Sequence, residues 1–119
     1  MTHTRINRGD IFYVELKNRD ERSQVQNGTR PVLIVSNEYA NRSNIICGVC
    51  LTSQFKAMHL PTHIFVAKEK SGLPRDSVVL CEQPISFDTY LLKEKIGQVD
   101  PFTMNLVNNA LGVSFRIII

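Results

Sequence analysis

The stretch "QNGTRPVLIVSN", residues 26–37, sets a guanidinium immediately ahead of an apolar run: Arg30 stands before Pro31 and the strand-like Val32-Leu33-Ile34-Val35. An Arg fork is planar, permanently charged and matched to the oxygens of a phosphate, where it can hold developing negative charge. Proline restricts the residue before it to extended conformations. Arg30 is therefore expected on a rigid mount at the mouth of a core strand, with a mobile basic loop behind it. The competing reading is a surface ion pair, which contributes little.

Two other patterns carry chemistry by type but not by placement. Cys47-Gly48-Val49-Cys50 spells C-x-x-C, the spacing of redox and zinc sites. It lies in "NIICGVCLTS", which reads as a strand, so the two thiols should point to opposite faces. A structural metal would also want two more ligands at a second spacing. With Cys81 they are read as small buried hydrophobes. Paired imidazoles could serve as base and acid near neutral pH. His3 falls in an expected tail, and His59 and His63 flank "LPT" without evident convergence on Arg30, so both are read as structural.

The elements that must position Arg30 follow from alternation and turn chemistry. Strands are expected at Arg8–Leu16, Pro31–Ser36, Ile45–Thr52, Thr62–Ala67 and Ser77–Glu82, the last stopped by Pro84. "KEKSGLPRD" reads as a turn, "FDTYLLKEK" as a short helix capped at Asp88, and "EKIGQV" as a last short strand. The stretch from Lys17 to Gly28 is too polar to pack and long for a hairpin, which marks a functional loop. Short strands at close intervals argue for a small barrel. Asp100-Pro101 is an N-cap followed by proline at the first helical position. Met104, Val107, Ala110-Leu111 and Ser114 then recur at helical spacing, giving an amphipathic helix that ends near Gly112. The terminal Ile117–Ile119 could add a strand or help bury a dimer interface.

At 119 residues the chain is read as one domain, with residues 1–7 a flexible tail. No apolar run approaches a bilayer's thickness, and "MTHTRINRGD" lacks the apolar middle of a signal peptide, so no membrane role and a cytoplasmic address are expected. The net charge of +3 permits a nucleic-acid partner without demanding one. Arg5, Arg8, Lys17, Arg19, Arg22 and Arg30 nevertheless crowd the first thirty residues.

The segments "RGDIFYVEL", "GTRPVLIVSNEYANRSN", "LTSQ", "LPTHI" and "DSVVLCEQ", in this order and with these gaps, resemble the MazF/PemK toxins of bacterial type II toxin–antitoxin systems. The resemblance runs from about Arg8 to about Val113. It implies a mainly β fold with short helices, an SH3-like β-barrel carrying a C-terminal amphipathic helix. It implies a homodimer that cuts single-stranded mRNA at specific sequences without metal or cofactor. It also implies an antitoxin that lays an extended, often acidic segment across the RNA groove, and operator DNA contacted only through that antitoxin.

On the same resemblance Arg30 is the catalytic arginine and Thr52 the hydroxyl that orients the scissile phosphate. Glu82 matches an acidic position, and a carboxylate could accept the 2′-OH proton. Gln24, Gln26, Thr29, Ser53, Gln54 and Gln83 are the residues expected to touch RNA. The chain departs from the pattern in the loop before the arginine. Where the family usually has Gly-x-Glu-Gln, this sequence has Ser23-Gln24-Val25-Gln26, which should shift base preference. A histidine and a second arginine found in some members are Gln24 and Leu80 here. Two alternatives stand beside the nuclease: a gyrase poison resembling CcdB, although the chain has no tryptophan, and a binding module that the Val25 departure keeps open.

Overall fold

The computed structural model describes residues 5–16, 28–38, 42–55 and 60–117. Most of the loop before Gly28, with Gln24, Val25 and Gln26, lies outside them, as do His3 and His59. Six antiparallel strands form one sheet: β1 (Asp10–Leu16), β2 (Gly28–Ile34), β3 (Ile45–Thr52), β4 (His63–Val66), β5 (Ser77–Asp88) and β6 (Leu92–Gln98). A one-turn helix α1 (Lys68–Ser71) precedes β5, and α2 (Pro101–Ser114) closes the described chain.

The strand order is β4-β5-β3-β2-β1-β6. The ladder is open, with β4 and β6 as its edges, where sequence spacing suggested a closed barrel. Curvature and packing on both sides do the work of closure. Ile11, Leu33, Val49, Leu51 and Val79 form one buried cluster with Met104, Val107 and Ala110 of α2. Phe12, Val14, Val32, Ile34, Ile46, Cys50 and Phe87 form the other. The alternation in "DIFYVEL" and "PVLI" supplies both clusters, since successive side chains leave a strand on opposite sides. Fully burying a Val or Met contributes about 1.5–3 kcal/mol, so α2 is held mainly by Met104 and Val107.

β3 falls where its pattern placed it, at Ile45–Thr52. Its partner β2 begins earlier than expected, at Gly28. Leu16↔Gly28, Glu15↔Thr29 and Val14↔Arg30 all pair, so β1 carries the strand outward past the apolar run. At Gly48 the β2–β3 seam is at its tightest: a Cβ there would sit 2.4 Å from Val32 Cγ1 and 2.9 Å from the Leu33 carbonyl oxygen.

β5 runs through Pro84 to Asp88 instead of stopping there. The register breaks at that point. β3 steps from Val49 to Leu51 while β5 steps from Pro84 back to Val79. Proline sits at the irregularity, where a missing N–H disturbs the ladder least. The helix expected over "FDTYLLKEK" is a 3-10 turn at Thr89–Leu91, and β6 claims the rest.

Asp100 caps α2, its Oδ1 accepting from the Thr103 N–H at 2.7 Å. Met104, Val107 and Ala110 are buried as the spacing predicts. Gly112 does not end the helix. The stop comes at Arg116, left-handed at φ 59°, with the Arg116 and Ile117 N–H groups returning to the Val113 and Gly112 carbonyls. Ile117 is exposed and belongs to no strand. The expected N-terminal tail is ordered from Ile6, which packs on the Phe12 cluster, while the Asn7 N–H donates to Asp10.

Candidate active site

Arg30 lies within β2, not at its mouth. The β2–β3 ladder pairs Ile34↔Gly48, Leu33↔Val49 and Val32↔Cys50. Continued two residues outward, that register sets Arg30 opposite Thr52. Residues paired across an antiparallel ladder point to the same side, so the apolar Val32–Cys50 pair is followed by a cation and a hydroxyl. Thr52 in turn pairs with Val78 on the other flank.

A cavity of about 240 Å³ opens at this end of the seam, lined by Arg30, Pro31, Leu51, Thr52, Ser53 and Gln54, with Tyr13 from β1 and Leu73, Pro74, Arg75 and Ser77 ahead of β5. Its volume is below the roughly 300–1,000 Å³ usual for small-molecule pockets. It suits one moiety of a longer ligand lying over the surface. The described lining contains two guanidiniums and neither a carboxylate nor an imidazole. Such a lining favours anions and, among the described residues, offers no strong base.

Thr52 is fixed by a local turn in which its Oγ1 accepts from the Gln54 N–H at 3.0 Å. That bond uses a lone pair, and the hydroxyl proton stays available to an oxygen acceptor. Ser53 and Gln54 line the cavity as expected. Thr29 is exposed beside Arg30 on β2 but is not part of the lining.

Glu82 and Gln83 stand apart from this cavity, on the bend of β5. The Glu82 carboxylate is held on both oxygens. Oε1 accepts from the Thr62 hydroxyl at 3.1 Å, and Oε2 lies 3.1 Å from His63 Nε2. Burial pushes its pKa up, but its own backbone N–H, His63 and Thr62 together outweigh that, so the net shift is downward. A stabilised carboxylate outside the cavity is badly placed to take the 2′-OH proton there. Gln83 Oε1 is buried with no hydrogen-bond partner among the described residues. Leu80 is buried in the sheet.

Arg75 is a charged lining residue that sequence reading missed. It sits in "SGLPRD", taken as a plain turn. The available signal was a proline beside an arginine at the start of a strand, the mirror image of Arg30-Pro31. Cys50 and Cys81 are buried as expected, whereas Cys47 is only half-buried. Burial, with the Glu82 charge adding to it, pushes the Cys81 thiol up to about 12.

Residues 7–115 match the family model described as PemK-like, MazF-like toxin of type II toxin–antitoxin systems. The chain is 34% identical over 114 residues to Endoribonuclease EndoA of Bacillus subtilis, covering 95% of this chain and 97% of that protein. It is also 34% identical over 110 residues to Endoribonuclease MazF of Staphylococcus saprophyticus, covering 92% and 90%. Among solved structures, a mycobacterial endoribonuclease in complex with its cognate antitoxin superposes with TM-score 0.75 at 25% identity, covering 97% of this chain and 99% of that one. MazF from Deinococcus radiodurans shares the fold at TM-score 0.75 and 19% identity, covering 93% and 96%.

Proposed function

Since the chain belongs to the PemK-like, MazF-like toxins of type II toxin–antitoxin systems, we propose that it is an endoribonuclease cutting single-stranded mRNA at the Arg30–Thr52 cavity. The observation that carries this reading is a cavity that brings together the Arg30 guanidinium and the Thr52 hydroxyl, with Arg75 as a second cation and no acid in the described lining.

The chemistry follows from those groups. The 2′-oxygen attacks the adjacent phosphorus as its proton leaves. The O2′–P bond forms, the P–O5′ bond breaks, and the 5′-oxygen takes up a proton, giving a 2′,3′-cyclic phosphate and a 5′-hydroxyl end. Negative charge peaks on the non-bridging oxygens of the crowded phosphorane. Arg30 faces that charge with paired N–H donors, and Thr52 donates its hydroxyl to the same phosphate. One preorganised donor of this kind contributes about 10²–10³-fold in rate. Ser53 and Gln54 line the path of the neighbouring nucleotides, Thr29 stands beside it, and Gln24, Gln26 and Gln83 would bear on base preference.

As a single-domain toxin the chain would work as a homodimer in the cytoplasm, held inactive by an antitoxin whose extended segment covers the groove. Operator DNA would be reached through that antitoxin. Among the described residues no helix is long and apolar enough to cross a membrane.

The test is incubation of the purified protein with mixed single-stranded RNA in EDTA, followed by mapping of the new 5′ ends. Cuts at a recurring sequence, lost in Arg30→Ala while the thermal melt is retained, are expected. Intact RNA over varied sequences would overturn the reading, and inhibition of gyrase supercoiling without cutting would replace it.

A further inference from the structure

A second cation borders the cavity on the side away from Arg30. In the sheet order β3 lies between β2 and β5. Arg30 on β2 and Arg75, ahead of β5, therefore flank Thr52 from opposite sides. We propose that Arg75 holds a second backbone phosphate of the RNA, next to the one at Arg30 and Thr52; this inference rests on the endoribonuclease reading of the cavity.

Three observations carry it. The first is the mount. Arg75 lies outside regular structure, yet its segment is tied at every step. The Leu73 N–H donates to Ser71 Oγ at 3.2 Å, and the Leu73 side chain is buried in the core. Pro74 fixes its own φ. The Ser77 hydroxyl donates to the Arg75 carbonyl at 3.0 Å. From behind, β6 presses on the turn so closely that a Cβ on Gly97 would lie 1.8 Å from the Ser71 carbonyl oxygen. A guanidinium on such a base loses less entropy on binding than one on a free loop.

The second is charge. Two cations border a small cavity whose described lining has no acid. Asp76, the acid next to Arg75, accepts the Lys68 N–H at 3.0 Å and so caps α1. Among the described residues Arg75 makes no ion pair. Two guanidiniums bordering one small cavity favour a ligand bearing more than one negative charge.

The third is direction. A strand passing from Arg30 across the end of β3 reaches Arg75 on the far side, and successive phosphates are what a single strand repeats along that path. The phosphate at Arg30 and Thr52 then has a gripped neighbour, and the scissile one cannot slide along the groove.

The experiment measures binding of a short single-stranded RNA spanning the mapped cut, with 2′-deoxyribose at the attacking nucleotide. Where no cut is found, a mixed-sequence RNA pool replaces it. Affinity is followed against salt, because each phosphate contact on a single strand adds about 0.7 to the slope of log K against log salt. Arg75→Ala should weaken binding about tenfold and lower the slope by about 0.7, and Arg75→Lys, a point charge without the fork, should keep the slope. On cleavable RNA, Arg75→Ala should raise KM and leave kcat within about threefold, as uniform binding requires.

A wild-type enzyme that cuts while Arg75→Ala keeps affinity and slope overturns this inference alone. So does an Arg75→Ala that changes the sequence cut with the slope intact, which would make Arg75 a reader of bases. A protein that binds with an Arg75-dependent slope but cuts nothing supports the phosphate site and overturns the nuclease reading.

Discussion

Extended two residues beyond the buried Val32–Cys50 pair, the β2–β3 register sets Arg30 level with Thr52 on the neighbouring strand. Their separation is thus set by the sheet and not by either side chain. Thr52→Val keeps the shape, removes the donor and leaves the Gln54 N–H without its acceptor. Cleavage by this variant should fall about 10²-fold, with a stability loss near 1 kcal/mol. Thr52→Ser should keep most activity. Single-turnover rates and urea melts check both, and a fully active Thr52→Val would remove the hydroxyl from the mechanism.

Gly97 offers a way to disturb Arg75 without touching the cavity. An added Cβ would meet the Ser71 carbonyl oxygen at 1.8 Å and the Gly72 Cα at 3.4 Å, both backbone. Gly97→Ala must push β6 and the α1–β5 turn apart, a strain of about 1–3 kcal/mol or more. The melting midpoint should drop, and whatever folds should bind RNA more weakly at unchanged kcat. A variant as stable as wild type would show that the turn yields freely.

Glu82 gives a pH dependence whose sign is fixed. Its pKa is lowered in the folded state, so its contribution to stability is present above the unfolded value near 4.5 and lost as pH falls through the folded one. Urea midpoints at neutral pH and at about pH 3.5 should therefore differ more in wild type than in Glu82→Gln. Cleavage by Glu82→Gln at neutral pH should remain within about tenfold. A general base is worth about 10²–10⁴-fold, so a loss of that size would restore the proton-acceptor role to Glu82.

The cysteines should be inert in the native protein. Burial raises Cys47, and Cys81 is pushed to about 12 by burial and the nearby Glu82 charge. Brief alkylation at mildly alkaline pH, read by mass, should give adducts only after denaturation, when all three thiols react. A native, doubly modified species at Cys47 and Cys50 would contradict the strand reading of C-x-x-C.

Where a short stretch of sequence decides its own structure, that structure was legible. β3 is bounded by its apolar run, and α2 begins where Asp100-Pro101 says it must. What was not legible depends on partners far along the chain. Gly28 and Thr29 look like turn residues, and only pairing with Glu15 and Leu16 makes them strand. Pro84 looks like a stop until the register break against β3 removes the need for its N–H. In the site, Arg30 was suggested by its place before Pro31, Thr52 was named through the family resemblance, and the structure puts both in one cavity lining. Glu82 was named by type, but its links to Thr62 and His63 carry it away from the cavity. Arg75 needs the sheet order before it has any relation to Thr52 at all.

Gly48 bears on how the site behaves in time. The β2–β3 seam closes so tightly there that Val32 and the Leu33 carbonyl would both collide with any side chain. These two strands lie in the middle of the sheet, and amides in such a place exchange with solvent only when the whole molecule opens. The ladder behind Arg30 and Thr52 is thus expected to open only with the core of the sheet. The spacing of the two strands at the cavity therefore persists for as long as the centre of the sheet stays closed.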